Sequence, residues 1–99
     1  MDQGNVLNIA KEYAAAVRKI MDTTSIFLYG SYAKGTATKD SDIDIAVVVK
    51  QIPGDYLDTV ASLWKLTRSI SHDIEPVLLT ADDAETGFLE TVQRTGIAV

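Results

Sequence analysis

Two hydrophobic rhythms alternate along the chain. Val6, Ile9, Ala10, Tyr13, Val17 and Ile20 recur at three- and four-residue steps, which predicts an amphipathic helix over roughly residues 5–21. Asp22-Thr23-Thr24 reads as a turn. Ser25-Ile26-Phe27-Leu28-Tyr29 is a short apolar run ended by Gly30, too short for a helix and read as a buried strand. Residues 30–41 hold two glycines, four Ser/Thr and two lysines, a polar connection with room for one helical turn. From Asp42 to Val49 the chain is rich in Ile and Val and predicts a second strand. Pro53-Gly54-Asp55 breaks the pattern and caps the next element. Tyr56 to Ser71 carries Leu57, Val60, Ala61, Trp64 and Leu66 and reads as a second long helix, with Trp64 expected in the core and a partner surface as its alternative. Ile74 to Leu79 is a third strand, and Pro76 inside it predicts an edge or a bulge. Thr80 with Asp83 resembles a capping box that opens a last helical region, and Gly96 sits where a helix stop belongs.

The order helix, strand, connection, strand, helix, strand, helix implies an α/β (α+β) architecture, a small sheet covered by helices. At 99 residues the chain reads as a single domain, 1–99, with no internal repeat or linker.

Charge narrows the function. Nine basic against fourteen acidic side chains leave a net charge of -5. Duplex nucleic acid is therefore not an expected partner, because each phosphate contact calls for a Lys or Arg. Small anions remain open, since a bound metal can supply positive charge locally. With no cysteine there is no thiolate zinc site and no cysteine nucleophile. The one histidine, His72, excludes a multi-histidine metal site within a chain and reads as a surface residue. No apolar run reaches the ~20 residues that span a bilayer, and Met1-Asp2-Gln3-Gly4 lacks a basic leader, so a cytoplasmic protein without a membrane partner is expected. Burying an unpaired carboxylate costs several kcal/mol. Clustered acids are thus expected at the surface or on a cation.

The candidate chemistry lies in Gly30-Ser31-Tyr32-Ala33-Lys34-Gly35-Thr36-Ala37-Thr38-Lys39-Asp40-Ser41-Asp42-Ile43-Asp44. A buried strand ends in Gly30-Ser31, where glycine lets the backbone turn sharply and a ligand approach closely. Ser31 adds a hydroxyl and an amide, and Lys34 adds a charge. Backbone amides at such a turn favour phosphate. Asp42 and Asp44 sit two apart on a strand and so share a face, while Ile43, Ile45, Val47 and Val49 take the other. Two adjacent carboxylates repel, and Mg²⁺ or Mn²⁺ with oxygen ligands removes that repulsion. Two such ions can clamp the attacking and leaving oxygens of a phosphoryl or nucleotidyl transfer.

Simpler readings compete. Gly30 to Gly35 has P-loop glycine spacing, but Thr36 stands where lysine is required. Asp40-x-Asp42-x-Asp44 begins like an EF-hand, but Ile45 stands for its glycine and Gln51 for its terminal glutamate. A solvated strand end with spare acids is the remaining simple reading, and the Gly-Ser turn at a fixed distance argues against it. Asp40 reads as a turn residue, and Lys65 and Arg68 as a solvated face or a flank of a nucleotide.

Gly30-Ser31, ten residues, then Asp42-Ile43-Asp44 resembles the signature of the DNA polymerase β-like nucleotidyltransferase superfamily. Phe27-Leu28-Tyr29 before it and Ile45-Ala46-Val47 after it match as well, and Ala33-Lys34-Gly35 looks like the Ala-Arg-Gly of small members. At this length the chain resembles the minimal nucleotidyltransferases (MNT), whose fold implies a three- to four-stranded mixed sheet flanked by helices. The resemblance implies a third carboxylate on a later strand. Asp73 and Glu75 share a face at strand spacing and both qualify; Ile74-Glu75-Pro76 is similar to an element of some small members, which favours Glu75.

By that resemblance Gly30, Ser31 and Lys34 bind the triphosphate, Asp42 and Asp44 hold two Mg²⁺ (or Mn²⁺) ions, and Glu75 joins the second ion and accepts the acceptor's proton. The implied reaction moves a nucleoside monophosphate, foremost AMP from ATP, to a hydroxyl with release of pyrophosphate. Minimal members resemble antitoxins paired with a HEPN-type protein, so such a partner is expected, and adding AMP to its tyrosine is one implied role. The alternative is a module that neutralises that partner by binding alone, or that binds nucleotide without turnover. A spare apolar helix face would also suit a homodimer.

Overall fold

The computed structural model describes residues 3–38, 40–80 and 87–99. Four helices, α1 (Gln3–Ile20), α2 (Ser31–Lys34), α3 (Tyr56–Thr67) and α4 (Phe88–Thr95), alternate with four strands, β1 (Ser25–Tyr29), β2 (Ile43–Val49), β3 (Ile74–Thr80) and β4 (Ile97–Ala98). The strands form one mixed sheet in the order β3-β2-β1-β4. β1 runs antiparallel to β2 and to β4, whereas β2 and β3 are parallel. A parallel pair needs a crossover, and α3 supplies it.

Alternation along β2 sorts the core into two layers. Ile43, Ile45, Val47 and Val49 pack with Val6, Tyr13, Val17 and Leu63 of α1 and α3. Ala46 and Val48 face the opposite way, where Leu89 and Val92 of α4 cover them. The apolar face fixes the register, since a one-residue slip would turn these side chains outward. The Tyr13 hydroxyl donates to the Leu63 carbonyl at 2.7 Å and ties α1 to α3 inside the core.

Most boundaries follow from local chemistry. The Asp55 carboxylate accepts from the Asp58 amide at 3.1 Å and caps α3, as Pro53-Gly54-Asp55 predicts. Gly96 ends α4 and donates to the Val92 carbonyl at 2.7 Å. Pro76 lies in β3, an edge strand of the sheet, where its missing N–H costs no ladder bond; the register with β2 runs without a bulge. The region opened by Thr80 and Asp83 falls outside the described residues after Thr80; α4 itself starts after Gly87.

Three expectations change. α3 ends at Thr67, and hydrogen-bonded turns carry the chain onward to Ser71. β4 adds a strand that the hydrophobic pattern did not mark, pairing Phe27 with Ala98 and Leu28 with Ile97. Trp64 is not a core residue: it is 43% exposed. The buried face of α3 is centred on Leu63, and one residue along a helix rotates a side chain by about 100°.

Candidate active site

The first strand delivers the chain to a tight turn. Gly30 follows β1 with φ 75° and ψ −149°, a backbone state that L side chains rarely adopt. A Cβ at this position would run into the Asp44 carboxylate oxygen Oδ2, with Asp44 Cγ 3.2 Å away. Glycine is therefore required twice, for its dihedral and for the close approach of backbone to carboxylate. The single turn of α2 follows, with the Lys34 amide donating to the Gly30 carbonyl at 3.1 Å and Gly35 closing it at φ 75°. Ser31 is half-buried beside this turn and Lys34 is exposed at its end.

Tyr32 is the anchor of the connection. Its ring is buried in the main core, and its hydroxyl reaches the Thr38 carbonyl at 3.4 Å. The Thr38 amide in turn donates to Ser41 Oγ at 2.9 Å, two residues ahead of β2. These contacts fix the loop that sets Gly30-Ser31 against the acids. From the sequence Tyr32 could equally be exposed, since a single aromatic in a polar loop has no periodicity to place it.

The acids meet on the face that α4 only partly covers. Asp44 is directly in register with Glu75 of β3 and with Tyr29 of β1, so Tyr29, Asp44 and Glu75 form a row across three strands. Asp42 lies just before β2 and is exposed. Its carboxylate, followed by partial desolvation and the Asp44 carboxylate, raises the Glu75 pKa above the ordinary range. Burial and then Asp42 raise Asp44, while a hydrogen bond with Glu75 acts the other way. The Tyr29 phenol is pushed up to about 12, by burial first and then by Asp44 and Glu75. Its ring meets Phe88 edge to face, with centroids 5.6 Å apart. Strand alternation could have found Tyr29, because it has the opposite parity to buried Leu28 and so faces the acids.

Asp73 stands one residue before β3. Its carbonyl accepts from the Ile43 amide at 2.7 Å, and its side chain is exposed. Register thus seats Glu75, rather than Asp73, beside Asp44. His72 and Asp40 are exposed, as expected. Lys65 and Arg68 line a groove of about 720 Å³ between α3 and the end of α1, which none of the predicted site residues lines.

The donor set suits a hard divalent cation. All three groups are carboxylates, and their mutual repulsion is what a cation relieves. Among the described residues no three acids close into a ready-made cage.

An acid pair in register beside a Gly-Ser turn, on a small mixed sheet, defines a nucleotidyltransferase-type domain. The chain belongs to that family: residues 10–86 match the family described as nucleotidyltransferase domain. It is similar to "Putative protein adenylyltransferase MJ1305" of Methanocaldococcus jannaschii, 38% identical over 84% of this chain and 60% of that one. It also resembles "Putative protein adenylyltransferase MJ0141" of the same organism, at 27% over 95% and 98% of the two chains. The protein adenylyltransferase MntA of Shewanella oneidensis is 40% identical over 72% of this chain and 49% of its own. The chain thus spans about half to three-fifths of two of these relatives and nearly all of the third.

Solved structures agree on the fold. A nucleotidyltransferase structure from Sulfolobus solfataricus, itself named as putative, superposes with a TM-score of 0.71 at 22% identity, covering 97% of this chain and 80% of that one. A toxin-antitoxin structure with AMP-PNP superposes at 0.60 and 25% identity, over 99% and 72% of the chains. No helix among the described residues is long and apolar enough to cross a membrane.

Proposed function

We propose that this domain transfers AMP from ATP to a hydroxyl of a partner protein, with release of pyrophosphate, as the antitoxin-like member of a two-protein pair. The observation that carries this reading is the close approach of Gly30 to Asp44, with Glu75 in register on the other side. It joins a glycine turn to a carboxylate set in one place.

Each residue has a role its chemistry suits. Gly30 lets the backbone reach the triphosphate without a side chain in the way, and Ser31 offers a hydroxyl and an amide to its oxygens. Lys34, exposed at the end of α2, adds a point charge with less directional grip than an arginine fork. Asp42, Asp44 and Glu75 are the groups that would hold divalent cations. When bound, those cations supply the charge that offsets the triphosphate and the developing negative charge at the α-phosphorus. In this reading Glu75 also accepts the proton of the attacking hydroxyl. The relatives named as protein adenylyltransferases favour a protein acceptor, and the neighbouring toxin-antitoxin structure favours a partner toxin as that acceptor.

The test uses ATP labelled at the α-phosphate, Mg²⁺ and the product of the neighbouring gene. Wild type should label that protein, and Asp42→Ala/Asp44→Ala should not; equal labelling by both would sink the assignment. A second reading, neutralisation by complex formation alone, draws on the same toxin-antitoxin neighbour. It predicts that the double variant still protects cells co-expressing the partner.

A further inference from the structure

The face of α3 turned away from the core is apolar without being covered. Leu57 is 72% exposed and Trp64 43%, with the small, exposed Ala61 between them. These positions are four and three residues apart and form one stripe along the helix. Asp58 and Lys65 border this stripe on one side, and neither has an ion-pair partner within the chain among the described residues. The groove between α3 and the end of α1, lined by Ile20, Met21 and Leu66 with Asp58 and Lys65, opens on that same flank.

We propose that this stripe is a homodimer interface in which α3 packs antiparallel against α3 of a second copy. The argument is self-complementarity. A two-fold axis at Ala61 reverses the helix, and reversal carries Leu57 onto Trp64 and Asp58 onto Lys65, each within about one residue, or 1.5 Å of rise. Two antiparallel helices related by such an axis bring like flank to like flank, so each Asp58 meets the partner's Lys65 and the pair occurs twice in one interface. Ala61 at the crossing point lets the backbones approach. The aliphatic stem of the partner's Lys65 can lie along the groove while its ammonium stays in solvent. A heterologous partner would have no reason to find acid and base on one flank, three residues before and four residues after one small residue.

The interface leaves the candidate active site free. α3 packs on the layer with Ile43, Ile45 and Val47, whereas Asp44 and Glu75 have the parity of the opposite face. Dimerisation is thus independent of the proposed catalysis. A stripe about two turns long is smaller than a standard interface, so the dimer is expected to be weak and concentration-dependent.

The experiment measures mass by sedimentation equilibrium from micromolar to near-millimolar chain, alongside the emission of Trp64, the only tryptophan. Wild type should climb from 10.7 kDa towards twice that mass, and its emission should shift to the blue over the same range as the indole leaves water. Asp58→Lys and Lys65→Asp should each stay monomeric, folded by circular dichroism. The double swap Asp58→Lys/Lys65→Asp should dimerise again, and the two single variants mixed together should pair with each other. A wild-type chain that stays monomeric throughout would assign the stripe to a different protein and overturn the proposal. So would a dimer whose affinity neither single variant changes, or one that forms with no shift in Trp64 emission.

Discussion

On the sheet face covered by α1 and α3, Ile43, Ile45, Val47 and Val49 lie against Val6, Tyr13, Val17 and Leu63 with almost no exposure. On the opposite face the same strand sets Asp44 beside Glu75, with Asp42 close enough to raise both their pKa values. The first arrangement lowers the free energy of the fold in every contact. The second raises it, through like charges and a glycine held at positive φ against a carboxylate. A small domain is only marginally stable, so unfavourable groups gathered at one spot point to function there and not to packing. Substitutions on the two faces should therefore have opposite signatures.

The largest effect belongs to the acidic face. Asp42→Ala/Asp44→Ala should lower nucleotidyl transfer by at least about a hundredfold to a thousandfold, read by label transfer, and should leave the thermal midpoint of the metal-free protein unchanged or raised. Leu63→Ala should do the reverse. It removes a fully buried side chain and should cost about 2–5 kcal/mol in urea unfolding, with the rate per folded molecule retained. Should the double aspartate variant instead unfold easily, the acids would be structural and the contrast between the faces would collapse.

Gly30 joins the two regions and should show both signatures. Gly30→Ala places a Cβ where Asp44 sits and strains a φ of 75°. We expect a stability loss of about 1–3 kcal/mol together with loss of transfer. Retained activity in a destabilised variant would mean that the close approach is not used by substrate.

Much of this contrast was legible in the sequence, and the gaps have physical causes. β1 was readable end to end, because a five-residue apolar run ended by glycine leaves little choice. Asp42-x-Asp44 after Gly30-Ser31 located the acids because their spacing survives any detail of the loop. Periodicity left Asp73 and Glu75 on one face and only a resemblance favoured Glu75; which of the two stands beside Asp44 needed the pairing of β3 with β2. β4 was invisible because two residues have no period. Trp64 was misplaced because α3 carries apolar residues on two faces. The inward set of Val60, Leu63 and Leu66 and the outward set of Leu57, Ala61 and Trp64 overlap in a simple count of hydrophobic positions.

A smaller effect tests a buried polar link in the core. Tyr13→Phe removes the hydroxyl that donates to the Leu63 carbonyl, at a cost of about 1 kcal/mol near neutral pH. Burial raises the Tyr13 pKa, so the folded state holds this proton more tightly than the unfolded chain. Its contribution is complete below the ordinary tyrosine value of about 10 and is lost as pH climbs beyond it. The gap between wild type and variant in chemical denaturation should narrow in that alkaline range.

The smallest expected change sharpens the comparison most. In metal-free protein, Glu75→Gln removes one of three repelling carboxyls while keeping size and hydrogen-bonding capacity. Because the Glu75 pKa is raised in the fold, the folded state binds that proton more tightly than the unfolded chain does. The stability this group contributes is therefore present in acid and lost as pH rises through its folded pKa. Glutamine does not titrate. The variant should match wild type in mild acid and melt slightly higher at neutral pH, with the difference kept small by the exposure of Glu75. Added Mg²⁺ should then stabilise wild type more than the variant and reverse the order. A variant that melts lower than wild type at neutral pH without metal would show that Glu75 supports the fold, and the acidic face would lose its claim to be held together for function.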